Sequence, residues 1–113
     1  MRILPDSNIF IEFWENKRGR TSEIETVFDN NDIVVCGAVR AELLHGAVSE
    51  KHLRSMTVML DAFDEANLEA SDWQTLGENL YKLRTHGVTV PFADVIIASV
   101  AIKYDSSVAV PLA

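Results

Sequence analysis

Three carboxylates, Asp6, Glu42 and Asp94, stand where an alternating α/β chain would bring acids to one edge. Asp6 follows the short apolar opening Arg2-Ile3-Leu4-Pro5 and precedes Ser7-Asn8. Glu42 lies just past the apolar run Ile33-Val34-Val35-Cys36, and Asp94 falls in the first turn of a strongly apolar segment opened by Pro91. In an open parallel sheet, the carboxyl ends of the strands share an edge with the starts of the following helices, and sites form there. Acids gathered on that edge without a cationic partner repel one another, and a bound divalent cation relieves the repulsion. Ligands that are all oxygen select a hard ion, Mg²⁺ or Mn²⁺, over Zn²⁺. Such an ion keeps several waters, lowers the pKa of one and stabilises charge on a phosphoryl oxygen, so phosphodiester hydrolysis is the chemistry expected. Ser7 and Asn8 are placed to bind the metal through water or to bind the scissile phosphate.

Each acid also has a purely structural reading. Asp6 can cap a helix, Glu42 can be a surface glutamate, and Asp94 gains under about 1 kcal/mol from a helix N-terminus. That gain does not account for an acid set among Phe92, Ala93, Val95, Ile96, Ile97 and Ala98, where the absence of a polar face predicts burial and therefore a partner. His45, His52 and His86 lack the spacing of a zinc set. The scattered glycines form no phosphate loop, and no serine lies in a GxSxG setting.

The elements that must position these residues follow from periodicity and punctuation. Residues 2–5 read as a strand. Residues 7–16 read as a helix capped by Asp6 or Ser7, with Ile9, Phe10, Phe13 and Trp14 at helical spacing. Thr21 or Ser22 opens a second helix carrying Ile24, Val27 and Phe28 inward, and Asn30-Asn31-Asp32 closes it. Ile33–Cys36 has the β-branched run of a buried strand. Gly37 opens a helix with Val39, Leu43, Leu44 and Val48. A further helix spans about 50–63 with Leu53, Met56, Met59, Leu60 and Phe63 inward, and 67–70 is a weak strand. Ser71 is read as the N-cap of a helix carrying Trp73, Leu76, Leu80, Tyr81 and Leu83, which His86-Gly87 stops. Val88–Val90 is a brief strand or an extended link, and Pro91 suits a first helical position. Residues 92–104 are apolar nearly all round, which predicts a buried helix, and 107–110 reads as a last strand. Strands alternating with helices give an α/β fold with a parallel sheet and right-handed crossovers.

A chain of 113 residues suits one domain with a real core. No apolar run approaches a membrane span. Asp6, Glu12 and Glu15 interrupt what a secretory signal would keep apolar, so a cytoplasmic location is expected. The net charge of −7 argues against a protein that coats nucleic acid through a broad basic surface. It leaves room for a nuclease whose cations offset part of the acidity. Lys17, Arg18 and Arg20 form the one dense basic patch, either a solvated loop or a rim that touches phosphates or a partner. Cys36 is alone, so it forms no internal disulfide, and a small buried core residue is the expectation.

At the three acids the chain resembles the PIN-domain family, and within it the VapC-type toxins of bacterial toxin–antitoxin pairs. "ILPDSNIFIEFWE" is similar to that family's opening strand, Asp and helix. "IVVCGAVRAELLHGA" is similar to its strand and Glu-bearing helix, and "VPFADVIIASVAIKYD" to its Asp-x-x-Ile-Ala helix. The resemblance implies a three-layer α/β/α sandwich with a mostly parallel sheet, an Mg²⁺ or Mn²⁺ site on Asp6, Glu42 and Asp94, and endoribonuclease activity. It also implies homodimerisation and a cognate antitoxin that blocks the site. Family members usually end with a further acid, as in Thr-x-Asp-x-Asp-Phe, where this chain reads "DSSVAVPLA". Asp105 is a poor substitute, about 16 Å along the helix from Asp94. A truncated or altered C-terminus is one explanation of that ending. A catalytically impaired, partner-binding domain of the same fold is the rival reading. Pro5, directly before Asp6, is tolerable only at a strand's last residue. A phospho-receiver fits poorly, because Asp6 has no paired acid and Lys103 lies inside a predicted helix.

Overall fold

The computed structural model describes residues 1–15, 22–104 and 106–109. The order of elements is β1 (Arg2–Pro5), α1 (Ser7–Glu15), α2 (Ser22–Asn30), β2 (Asp32–Cys36), α3 (Gly37–His45), α4 (Glu50–Asp61), β3 (Asp64–Ala66), α5 (Ala70–Thr85), α6 (Phe92–Lys103) and β4 (Ser106–Ala109). Lys17, Arg18, Arg20, Thr21, Asp105 and residues 110–113 lie outside the described residues, so the basic patch and the family's terminal acid position do too.

The strands form one sheet in the order β3-β2-β1-β4. All three pairings are parallel, with Arg2 opposite Asp32, Val34 opposite Asp64, and Pro5 opposite Ala109. β1 to β2 to β3 steps outward in one direction; β4 then returns to the far side of β1. With right-handed crossovers, that reversal sends the connections to both faces of the sheet, giving the α/β/α sandwich, and α3 and α6 meet each other. The reversal lies between β1 and β4, and the crevice at such a switch point is where open α/β sheets hold ligands. Pro5 ends β1, a central strand, where its missing N–H removes the least from the ladder.

β2 is buried at Ile33, Val34, Val35 and Cys36, as its β-branched run dictates. Leu4, Phe10, Val35, Val39 and Leu60 are completely enclosed. An aromatic group locks α1 to α2: Phe13 stacks on Phe28 at 3.9 Å, and Phe10 meets Phe28 and Phe63 at 5.8 Å. Trp14 stacks on His52 of α4 at 4.8 Å, and His52 Nδ1 accepts from the Val48 N–H.

Several expectations are corrected. The third strand is Asp64–Ala66, not 67–70. Its composition disfavours β structure, and it exists through its pairing with β2. Val48 lies beyond the end of α3 and is 86% exposed, because Gly46 has already closed that helix. Leu53 also faces partly outward, whereas Met56 and Leu60 fill the core. α5 starts at Ala70 with Glu69, not Ser71, at the N-cap, and the Asp72 carboxylate accepts from the Glu69 N–H at 2.8 Å. On α5, Leu76 is buried while Trp73 and Tyr81 are exposed. Val88–Val90 is an extended link without strand pairing. Pro91 is the N-cap of α6 rather than its first residue. α6 is not buried all round: Ile96, Ile97, Val100 and Ala101 face the core, but Phe92 and Ile102 are 60% and 82% exposed.

Gly87 does what the sequence required. Its φ of 78° is left-handed, and it follows α5 in a Schellman arrangement with Gly87 N–H on Arg84 O and Val88 N–H on Leu83 O.

Candidate functional site

Asp6 sits at the carboxyl end of β1, between that strand and α1. Its Oδ1 accepts from the Ile9 N–H at 3.0 Å, so Asp6 is the N-cap of α1 in preference to Ser7. A carboxylate has two oxygens; the cap uses Oδ1. Ser7, freed from capping, turns its hydroxyl to Glu42 and donates to Oε2 at 3.0 Å. This bond joins residues 35 positions apart and brings the starts of two βα units together on the carboxyl edge of the sheet. Asn8 is exposed on the next position of α1.

Glu42 is carried by α3, which packs on α1, α4 and α6. Val39 and Leu43 anchor that helix inward, leaving Glu42 exposed beside Ser7. Nothing local to α3 in the sequence marks how that helix is held from its other side. Arg40 Nε pairs with Glu65 of β3 at 2.7 Å and its Nη1 with Asp61, the last residue of α4, at 3.1 Å. Partners 21 and 25 positions away leave no local pattern to read.

Asp94 lies in the first turn of α6. The expectation of a buried acid is corrected: Asp94 is exposed, on the same side of the helix as exposed Ala98 and Ile102. The reason is geometric. An apolar segment flanks the acid in sequence, but residues four apart define the face it occupies, and that face has no cover. Among the described residues, no Lys or Arg forms an ion pair with Asp6, Glu42 or Asp94.

Among the described residues, no three His, Cys, Asp or Glu side chains stand together as a ready metal cage. The structure brings Asp6, Ser7 and Glu42 into one neighbourhood and leaves Asp94 on a separate, adjoining helix. The donors present suit a hard cation held by one or two carboxylates and several waters, the mode Mg²⁺ prefers over an all-protein cage.

His45 and His86 are exposed, and the His86 ring hydrogen-bonds the Lys82 carbonyl at 2.7 Å. Cys36 is a buried free thiol, as expected. It lines a cleft of about 320 Å³ with Gly37, Ala66, Trp73 and Ile96, and none of the three acids lines it. No helix among the described residues is long and apolar enough to cross a membrane.

Comparison with known proteins gives the fold its relatives. The chain is similar to the VapBC2 structure from Rickettsia felis bound to a DNA fragment from its promoter, at 22% identity and a TM-score of 0.72, over 96% of this chain and 85% of that one. It is similar to VapBC-1 from nontypeable Haemophilus influenzae at 21% identity and a TM-score of 0.70, over 96% and 84%. FitAcB from Neisseria gonorrhoeae follows at 19% identity and a TM-score of 0.59, over 94% and 84%. No curated protein sequence matches the chain. The family model for the PIN domain matches residues 3–110, which takes in all three acids and both flanking strands of the switch point. The chain belongs to the PIN domain family.

Proposed function

We propose that this PIN domain is an Mg²⁺- or Mn²⁺-dependent endoribonuclease, the toxin of a toxin–antitoxin pair working in the cytoplasm. The observation that carries the reading is the Ser7–Glu42 hydrogen bond beside Asp6, which gathers oxygen donors at the sheet's switch point. Asp6, Glu42 and Asp94 are the proposed metal ligands and catalytic acids, with Ser7 and Asn8 against the substrate. Asp94 stands on α6, and α6 packs on α3, the helix that carries Glu42.

A bound divalent cation supplies Lewis acidity toward a phosphoryl oxygen and a water of lowered pKa. The chain supplies the frame. Asp6 is fixed by its cap to Ile9, Glu42 is oriented by the Ser7 hydroxyl, and the start of α1 presents Ser7 and Asn8 to a phosphate. Protein partners fit the same reading: a cognate antitoxin that covers the acids, and a second copy of the chain. The likeness to VapBC and FitAcB assemblies favours the former.

The test is RNA cleavage by the purified chain in Mg²⁺ and in Mn²⁺, alongside Glu42→Gln. Metal-dependent cleavage lost in the variant supports the proposal. Cleavage that persists in Glu42→Gln, or that ignores chelators, rejects it.

A second reading, a catalytically impaired domain that binds a partner, draws on the lack of a ready three-acid cage among the described residues. It requires no cleavage at any metal concentration together with tight partner binding. Turnover dependent on Glu42 removes it.

A further inference from the structure

We infer that Arg40 is a positioning residue for the acidic site, fixing the roll of α3 so that Glu42 meets Ser7. The inference rests on the proposed metal-site reading and adds a residue that touches neither metal nor substrate.

α3 is nine residues long; Val39 and Leu43 are its buried anchors, and Ala38 and Leu44 are partly buried against the same core. Apolar contacts are non-directional, so on a helix this short they leave the fine rotation about its own axis less well defined than its place against the core. Directional bonds must set the rotation. Arg40 and Glu42 are two residues apart, about 200° around the helix, so they emerge on nearly opposite sides. Arg40 reaches Asp61 and Glu65, while Glu42 reaches Ser7. The helix is therefore held between two polar attachments. Arg40's attachment is the firmer: its side chain is only 21% exposed, and a planar guanidinium binds two carboxylates in a fixed fork. Its anchor points lie at the end of α4 and on β3, both tied to the core through Leu60 and Ala66.

Positioning and simple electrostatics make opposite predictions. If Arg40 acted only as a charge, neutralising it would leave Asp61 and Glu65 uncompensated and would strengthen cation binding nearby. If it holds Glu42 in place, neutralising it weakens cation binding.

The experiment is Mn²⁺ titration by calorimetry of the whole chain, comparing wild type, Arg40→Gln and Arg40→Lys at a temperature where circular dichroism shows each folded. Arg40→Gln is expected to raise the Mn²⁺ Kd by about 2- to 30-fold, the usual reach of a residue that acts through another. Arg40→Lys keeps the charge but loses the fork and falls between. Unchanged or tighter binding in Arg40→Gln overturns the inference and leaves the metal site standing. Should Arg40→Gln fail to fold, Arg40→Lys decides: weaker binding than wild type supports positioning, and equal binding overturns it. Wild type that binds no Mn²⁺ overturns the site reading, and this inference with it.

Discussion

The Ser7 hydroxyl donates to Glu42 Oε2 across 3.0 Å, tying the first turn of α1 to α3. Ser7→Ala removes the donor that orients the carboxylate. Losing a partner that orients a metal ligand usually weakens the metal about 10- to 100-fold, and that is the rise expected in the Mn²⁺ Kd, with RNA cleavage falling in parallel. Ser7→Thr keeps a hydroxyl and retains most of both. Equal Mn²⁺ affinity in wild type and Ser7→Ala, measured by calorimetry, would remove Ser7 from the site.

Asp6 serves two ends, and a pair of variants separates them. Asparagine caps a helix as well as aspartate, whereas alanine costs about 1 kcal/mol. Asp6→Asn is therefore expected to unfold in urea at nearly the wild-type midpoint, and Asp6→Ala earlier. Both should lose RNA cleavage, because neither carries the charge. Full activity in Asp6→Asn would reduce Asp6 to its bond with Ile9.

Asp94 is exposed and forms no ion pair among the described residues, so its removal leaves no orphaned group in the protein interior. Asp94→Ala is expected to abolish cleavage while shifting stability by no more than about 0.5 kcal/mol, as exposed substitutions do. Thermal melts and cleavage assays on the same preparation check both halves. Retained cleavage would exclude Asp94 from catalysis.

Lys103 and Asp72 link the end of α6 to the start of α5. The hydrogen bond from Lys103 holds the Asp72 carboxyl below the usual carboxylate range, helped by the Glu69 N–H. The same bond from Asp72 raises the Lys103 ammonium above its ordinary value. A depressed acid stabilises the fold above its unfolded-state value, about 4, and loses that contribution as pH falls through the lower folded-state value. A raised base contributes fully below its unfolded-state value, about 10.4, and loses it as pH climbs through the higher one. The pair is thus constant from about pH 5 to 9. Asp72→Asn should flatten the acid limb of stability against pH, read by urea melts between about pH 5 and 3. An unchanged acid limb would show that the pair contributes nothing.

Gly87 occupies a left-handed backbone position that disfavours any Cβ. Gly87→Ala is expected to cost about 1–2 kcal/mol, measured as a lower urea midpoint.

What could be read in advance was whatever local physics decides. A β-branched run produced β2, a glycine after a helical stretch produced the turn at Gly87, and the acids at strand ends pointed to the edge where Ser7 meets Glu42. The strand Asp64–Ala66 was illegible because its residues disfavour extended structure and only the neighbouring strand recruits them. The exposure of Asp94 has no signal in the sequence, because hydrophobicity on all sides of α6 does not reveal which side is covered. The Arg40 clamp depends on residues brought near by the finished fold.

The register of β1 against β4 pairs residues 2–5 with 106–109, more than a hundred positions on. Among the described residues, β1 is thus flanked on one side by the strand most distant from it in sequence. Closing so long a loop is entropically slow, and topologies rich in distant contacts fold in milliseconds to seconds instead of microseconds. The crevice beside Asp6 acquires its second wall only at that closing step, so until then the acids stand without the finished shape around them.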